Sequence, residues 1–206
     1  MDNRNLITTL VIAALIALVV TATGCATNTS PSPTPIAATQ TTIGNNTIFS
    51  SAAGFNITYP KNLTIDSSTN ASSTVKIYIY QNPNTKIDGV NVGTYALSAG
   101  QTLSDFIALN SKELQNYSST GFYKNFTILN ETNLTFAGKP AHQIVFQATI
   151  PQQISATNTT NASVKVMQTW VVNNDTGYVI TYKAVLSDYN TYLAQAQRIM
   201  NSFVLT

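Results

Sequence analysis

The chain has 206 residues, of which 44% are hydrophobic and only 9% are charged, and its formal net charge is +2. That length suits one domain of about 100–150 residues with accessory segments, and it argues against two full domains. The Lys and Arg residues form no cluster. This argues against a nucleic-acid partner, because such binding is driven by counterion release from several grouped cations.

The first 25 residues have the pattern of an export signal. Residues 6–20 form a nearly uninterrupted apolar run, which has the length of a signal-peptide core and is shorter than the ~20 residues of a bilayer span. Residues 22–25, Ala-Thr-Gly-Cys, resemble a lipobox with Ala22 in place of the usual Leu. We predict a signal peptide over residues 1–24 and a lipid on Cys25 that anchors the protein to the extracytoplasmic face of the cell membrane. The alternative is an uncleaved N-terminal anchor helix.

Cys25 is the only cysteine, so no intramolecular disulfide can form and stability must come from core packing. The segment that follows is rich in Thr, Ser and Asn and has three alternating prolines. Such a composition buries too little apolar area to fold, and alternating prolines favour an extended chain. We predict a lipidated stalk over residues 25–46 and one folded domain over residues 47–206.

Acceptor motifs for N-glycosylation are more than twice as frequent as the Asn, Ser and Thr content would give by chance. The excess suggests that this is a glycoprotein, although a simple bias toward Asn and Thr is the alternative. A lipobox indicates a prokaryote and abundant acceptors indicate a eukaryote or an archaeon, so together they indicate an extracellular, archaeal cell surface. The twelve candidates are Asn28, Asn45, Asn56, Asn62, Asn70, Asn116, Asn125, Asn130, Asn133, Asn158, Asn161 and Asn174.

The first half of the domain is predicted to hold three strands and a helix. Residues 54–60, 75–80 and 90–95 alternate apolar and polar side chains, the period of a strand with one buried face. After Thr102 the apolar residues follow helical spacing, and Asp105 stands where a capping box requires an acidic or amide side chain.

The second half is predicted to form hairpins and a closing helix. Strand-like runs at 126–133 and 141–150 flank a Gly-Pro turn, and residues 151–161 are interpreted as a polar loop. Two further runs flank the turn at 173–177, and a final amphipathic helix begins at a Ser187 or Asp188 cap. Because strands and helices do not alternate regularly, we predict an α+β fold with an antiparallel sheet covered by helices.

These elements, in this order, resemble the PsbP-like family over roughly residues 47–206. The resemblance implies a central antiparallel β-sheet sandwiched by helices and a non-catalytic accessory domain near a membrane. Plant members are extrinsic subunits of photosystem II, and prokaryotic relatives are often lipoproteins. The residues that carry it are the strand at 55–60, the helix start at 100–103, the Ala-Gly-Lys-Pro-Ala turn at 137–141, the strands at 167–170 and 177–182, and Asn201-Ser202-Phe203.

Residues that could carry chemistry are few. His142 is the sole histidine, so neither a multi-histidine metal site nor a serine triad with a spare base can be assembled without it. We interpret it as a structural residue, because it shares a strand face with Ile144 and Phe146. The acidic residues form no calcium-loop pattern, and we expect no metal, cofactor or catalytic residue. Paired carboxylates from distant segments stay open as an alternative. Trp170 and the tyrosine pairs 78/80 and 178/182 are interpreted as packing residues rather than a ligand platform.

The leading functional prediction is a membrane-anchored, non-catalytic binding or assembly module that contacts a membrane or envelope protein. One alternative is a solute-binding lipoprotein with a small-ligand pocket between sheet and helices, for which the tyrosines are candidate lining residues. A hydrolase is the least favoured alternative.

Overall fold

The structure is a computed structural model that describes residues 38–66, 75–79, 89–155 and 158–206. The predicted signal peptide, Cys25 and most of the predicted stalk lie outside these ranges. In chain order the elements are β1 (Thr39–Ile43), β2 (Asn46–Ser51), β3 (Phe55–Pro60), β4 (Thr64–Asp66), β5 (Val75–Tyr78), β6 (Gly89–Ala96), α1 (Leu103–Ser119), β7 (Lys124–Phe136), β8 (Lys139–Ser155), β9 (Asn158–Asn173), β10 (Thr176–Val185), α2 (Tyr189–Asn201) and β11 (Val204–Leu205).

The strands form two antiparallel sheets. The smaller sheet has the order β1-β2-β3-β11, and the larger has the order β4-β5-β6-β10-β9-β8-β7. The four strands β7 to β10 pair in chain order as three successive hairpins, and α2 follows them. The predicted α+β class and antiparallel sheet are confirmed, and the second, smaller sheet is an addition that the sequence did not indicate.

The larger sheet buries both of its faces, each in its own hydrophobic core. One face, here called the α2 face, packs against α2 and the smaller sheet and contributes side chains such as Met167, Ile180 and Tyr182. The other, the α1 face, packs under α1 and contributes Phe146, Trp170 and other apolar side chains. Successive strand residues point to opposite faces, so β9 and β10 each contribute side chains to both cores.

Tight turns at the predicted positions close the β7–β8 and β9–β10 hairpins. Ala137 and Gly138 join β7 to β8 with φ values of 50° and 75°, and Asn174 begins the β9–β10 turn at φ 52°. In the β7–β8 turn both central residues have positive φ, which is the geometry that matches the twist of two antiparallel strands. Glycine at position 138 adopts it without the steric cost of a side chain.

The paired chain begins earlier than the predicted domain boundary. Strand β1 lies within the predicted stalk and pairs with β2 from Thr39↔Ser50 to Ile43↔Asn46. All five residues of β1 are exposed, so the strand is held by backbone pairing. Its sequence therefore shows no alternation of apolar and polar residues from which a strand could be predicted.

The predicted polar loop at residues 151–161 is wrong, because the β8–β9 hairpin continues through most of that range. Pro151 pairs with Asn161 and Gln152 with Thr160. Proline has no backbone N–H to donate to a neighbouring strand. It is tolerated at position 151 because β7 pairs with β8 only as far as Thr149, so no strand lies beside Pro151 on that side.

Within the described ranges, no helix has both the length and the apolar character needed to cross a bilayer.

Candidate functional site

A cavity lies between helix α1 and the α1 face of the larger sheet. Its volume is about 130 Å³. A cavity of about 150 Å³ accepts benzene, whereas pockets for drug-sized ligands begin near 300 Å³, so this one suits only a small molecule. The lining comprises Tyr95, Asn110, Glu113, Leu114, Tyr117, Tyr123, Gln168 and Val179.

A capping box fixes the start of α1. The Thr102 amide donates to Asp105 Oδ2 at 2.8 Å, and the Asp105 amide donates to Thr102 Oγ1 at 3.3 Å. These bonds satisfy backbone groups that a helix N-terminus otherwise leaves unpaired. The Thr102 hydroxyl also donates to Asp105 Oδ2, and the bonds from the Thr102 amide and hydroxyl lower the pKa of the Asp105 carboxyl. The predicted cap is therefore confirmed.

The first turn of α1 rests directly on β10. The Phe106 ring lies over Gly177, where an added Cβ would come within 2.6 Å of the ring, so only glycine allows this approach. Residues one, two and three turns further on point to the same side of the helix. Asn110, Glu113 and Tyr117 therefore line the cavity.

One carboxylate stands among three tyrosine hydroxyls. The Tyr117 hydroxyl donates to Glu113 Oε1 at 3.0 Å. Burial, with a smaller contribution from the Glu113 charge, raises the pKa of Tyr95 and of Tyr123 to about 12. The same two causes raise the pKa of Tyr117 further. All three hydroxyls are thus protonated at neutral pH and can donate or accept hydrogen bonds.

The sheet beneath the cavity carries a row of polar residues across neighbouring strands. Asn91, Thr181 and Gln168 lie opposite one another on β6, β10 and β9. The Trp170 indole N–H donates to Gln168 Oε1 at 3.2 Å, which orients that side chain. Thr181 Oγ1 is buried without a hydrogen-bonding partner in the described part of the chain. A polar row of this kind would be costly under a fully apolar helix face.

An aromatic wall closes one side of the cavity. The Tyr123 ring lies 5.3 Å from Tyr117, 5.6 Å from Phe146 and 6.1 Å from Phe126, measured between ring centroids. Phe122, which is 36% exposed, continues the wall to the surface at 5.5 Å from Tyr117. Ring pairs at these separations add attraction beyond burial, so they hold the wall in place.

The sequence pattern suggests a pocket between sheet and helices but does not indicate these lining residues. Trp170, Tyr178 and Tyr182 are buried, so their interpretation as packing residues is confirmed. Tyr78 is half-buried, and Tyr80 lies outside the described residues. The signal that could have found the site is the pair Glu113 and Tyr117, which stand four residues apart on the sheet-facing side of a predicted helix.

His142 lies outside the cavity. Its Nδ1 is 2.8 Å from Asn133 Oδ1, and its ring centroid is 5.4 Å from that of Trp170. It sits between these two residues in the β7–β8–β9 register. The arrangement gives the imidazole a structural contact on either side, as predicted, and does not bring it near Glu113. Among the described residues, no group of three or more His, Cys, Asp and Glu could hold a metal ion.

Most of the predicted glycosylation acceptors within the described ranges are at the surface. Asn56 is half-buried on β3, opposite Val204 of β11. Asn158 begins β9, and Asn28 and Asn70 lie outside the described residues. The acceptors with exposed side chains are Asn45, Asn62, Asn116, Asn125, Asn130, Asn133, Asn161 and Asn174.

One of the two edges of the larger sheet is the 13-residue strand β7. It pairs with β8, and no described strand pairs with its other side. Ile128 and Leu129 are each 46% exposed on it, and the acceptors Asn130 and Asn133 follow directly. Long edge strands of this kind pair readily with other chains unless something shields them.

No protein-family model and no curated protein matches this sequence. Comparison with solved structures does find neighbours. The solution structure of the cyanobacterial PsbP protein, CyanoP, from Synechocystis sp. PCC 6803 superposes with a TM-score of 0.53 at 9% identity, covering 74% of this chain and 87% of that one. This chain has a PsbP-like fold.

Two further neighbours have lower TM-scores. LpqN of Mycobacterium tuberculosis, described as involved in cell envelope biogenesis, has a TM-score of 0.47 at 12% identity, covering 74% of this chain and 83% of that one. PA94 of Pseudomonas aeruginosa, a protein of unknown function, has a TM-score of 0.44 at 14% identity, covering 75% and 95%. At such identities the likeness concerns the fold alone.

Proposed function

We propose that this protein is an exported, lipid-anchored lipoprotein whose PsbP-like domain binds a small solute without transforming it. The observation that carries the proposal is the cavity beneath α1, where a carboxylate, two side-chain amides and three tyrosine hydroxyls converge on about 130 Å³. Concave sites with a few convergent polar groups are the usual form of small-molecule sites. The signal sequence and Cys25 support a place at the membrane surface, where such a domain would meet solutes outside the cell.

A thermal-shift screen tests solute binding. A panel of small cationic, anionic and neutral solutes is added to the full chain, and at least one class is expected to raise the melting temperature, because a ligand that binds only the folded state stabilises it by mass action. The same solute should shift the NMR signals of the Asn110 and Gln168 side-chain amides, which line the cavity. If no solute in the panel moves either readout, the proposal fails.

The lipid anchor is tested by changing its acceptor. We expect Cys25→Ser to move the protein from the membrane fraction to the soluble extracellular fraction, because the serine hydroxyl cannot take the thioether-linked lipid. Ala22→Leu, which restores the usual lipobox residue, is the matched control and should leave the protein in the membrane. Retention of Cys25→Ser in membranes would instead support an uncleaved anchor helix. Fractionation in the native host, with immunoblotting, measures both.

A second candidate, an assembly module for a membrane-associated complex, is favoured by the open edge of β7. An extended segment of an envelope protein could add to this edge through backbone hydrogen bonds, with Ile128 and Leu129 offering apolar contacts. Glycans on Asn130 or Asn133 would crowd the same edge and shield it. Mass spectrometry of the native protein decides between these uses: high occupancy at both acceptors would rule out partner binding at β7.

A further inference from the structure

We propose that the cavity beneath α1 binds a small primary alkylammonium ion, with Glu113 as its anionic partner. The inference rests on the proposed solute-binding function and names the chemical class of the solute. It is carried by the charge, the hydrogen-bonding groups and the size of the site.

The charge of the site is negative and lacks a counter-charge. Glu113 is half-buried, and the bond found for its carboxylate in the described part of the chain is the one that Tyr117 donates to Oε1. No described Lys or Arg pairs with it. A carboxylate attracts a cation more strongly beside the protein than in bulk water, because the local dielectric constant is lower. A bound cation would supply the counter-charge, and an anion would be repelled.

The hydrogen-bonding groups fit an ammonium ion. An –NH₃⁺ group has three donors and no acceptor, and the lining supplies oxygen acceptors from Glu113, Tyr95 and Tyr123. Asn110 Nδ2 donates to the Phe106 carbonyl oxygen at 2.8 Å, which leaves the Asn110 side-chain oxygen as a further acceptor. Hard metal ions such as Ca²⁺ prefer six to eight oxygens with several carboxylates among them, which this single carboxylate does not provide.

The size and the apolar part of the lining limit the rest of the ligand. Leu114, Val179 and the faces of the aromatic wall offer a surface for a short alkyl chain. Because a cavity of about 150 Å³ accepts benzene, we expect a ligand of about six non-hydrogen atoms. A phosphate ester on the same chain would bring a second negative charge toward Glu113, so the site suits a free amine rather than a lipid headgroup.

The experiment is a titration of the full chain with n-butylammonium chloride, followed by the NMR signals of the Asn110 and Gln168 side-chain amides. We expect saturable shifts of both. n-Butanol, which has the same shape without the charge, and potassium chloride, which has the charge without the donors, should each give at least tenfold weaker effects at equal concentration. Butyrate should give none.

Variants assign the role of the carboxylate. Glu113→Gln keeps the shape and removes the charge, and should weaken binding by roughly 10- to 100-fold, as expected for loss of a hydrogen bond to a charged group. Glu131→Gln is the matched control, because Glu131 is an exposed carboxylate on β7 away from the cavity, and should bind as the unchanged protein does. The melting temperature of each variant reports whether it folds. If a variant does not fold, the titration of the unchanged protein with the four probes still tests the inference.

The outcomes separate this inference from the function it rests on. Selective n-butylammonium binding that Glu113→Gln weakens supports both. If n-butanol, butyrate or potassium shifts the same amide signals as strongly, or if Glu113→Gln binds n-butylammonium unchanged, the ammonium assignment is overturned while solute binding at this site stands. If none of the four probes and no member of the wider solute panel shifts the signals, both are overturned.

Discussion

Replacing Trp170 with alanine is expected to lower the free energy of unfolding by about 3–5 kcal/mol. The Trp170 side chain is fully buried on the α1 face, so its removal loses the hydrophobic transfer energy of the indole and leaves a cavity that the surrounding strands can fill only in part. The loss is a large fraction of the roughly 5–15 kcal/mol by which a domain is usually stable. Urea denaturation of the purified protein, followed by circular dichroism, measures it.

Two controls separate burial from other effects of this substitution. Trp170→Phe keeps most of the ring and removes the indole N–H that binds Gln168 Oε1, so it should cost clearly less than alanine. Phe122→Ala removes a ring that is 36% exposed, and its cost should be about 1 kcal/mol or less. Equal losses for Trp170→Ala and Phe122→Ala would contradict the two-core description of the sheet.

The elements that the sequence predicts well are those whose periodicity reflects burial. Strand β9 alternates because Met167 belongs to one core and Trp170 to the other, and α1 is predicted through its apolar spacing and the Thr102 cap. The fold class follows from such elements in order. Strand β1 was missed because all of its side chains are exposed, so backbone pairing, which has no side-chain signature, is what makes it a strand.

The candidate site could not be predicted because it depends on long-range register. Tyr95 is on β6, Glu113 on α1 and Gln168 on β9, and only the strand order places β6 and β9 on either side of β10 beneath the helix. Each of these residues has an ordinary local explanation in the sequence. Their convergence becomes visible once the sheet order is known, and this is also why the sequence suggested a pocket between sheet and helices without naming its residues.

Alkaline pH is expected to lower the free energy of unfolding progressively between pH 10 and 12. Burial raises the pKa of Tyr95, Tyr123 and Tyr189 to about 12, from 10.0 in model compounds. Between these values the unfolded chain releases tyrosine protons that the folded protein still holds. The unfolded state is therefore favoured as the pH rises, and stability that is fully present below pH 10 is lost as the pH passes through 12.

The size of the effect follows from the shifts. Tyr189 is only 3% exposed, and a rise of its pKa from 10.0 to about 12 corresponds to about 3 kcal/mol. The tyrosines of the cavity are partly exposed, so solvent screening reduces their individual contributions. Even so, several such groups together would remove much of a typical stability of roughly 5–15 kcal/mol. Urea titrations at several pH values, together with phenolate absorbance, measure the loss and the number of tyrosines that ionise on unfolding.

Tyrosine-to-phenylalanine variants show which residues carry this dependence. Tyr189→Phe and Tyr123→Phe each remove one titrating group, so each should reduce the fall in unfolding free energy between pH 10 and 12. The two reductions should add, because Tyr189 belongs to the α2-face core and Tyr123 packs against the α1-face core, and distant sites are usually independent. An unfolding free energy that stays constant from pH 9 to 12 would mean that these hydroxyls reach solvent in the folded protein, and that burial does not hold them protonated.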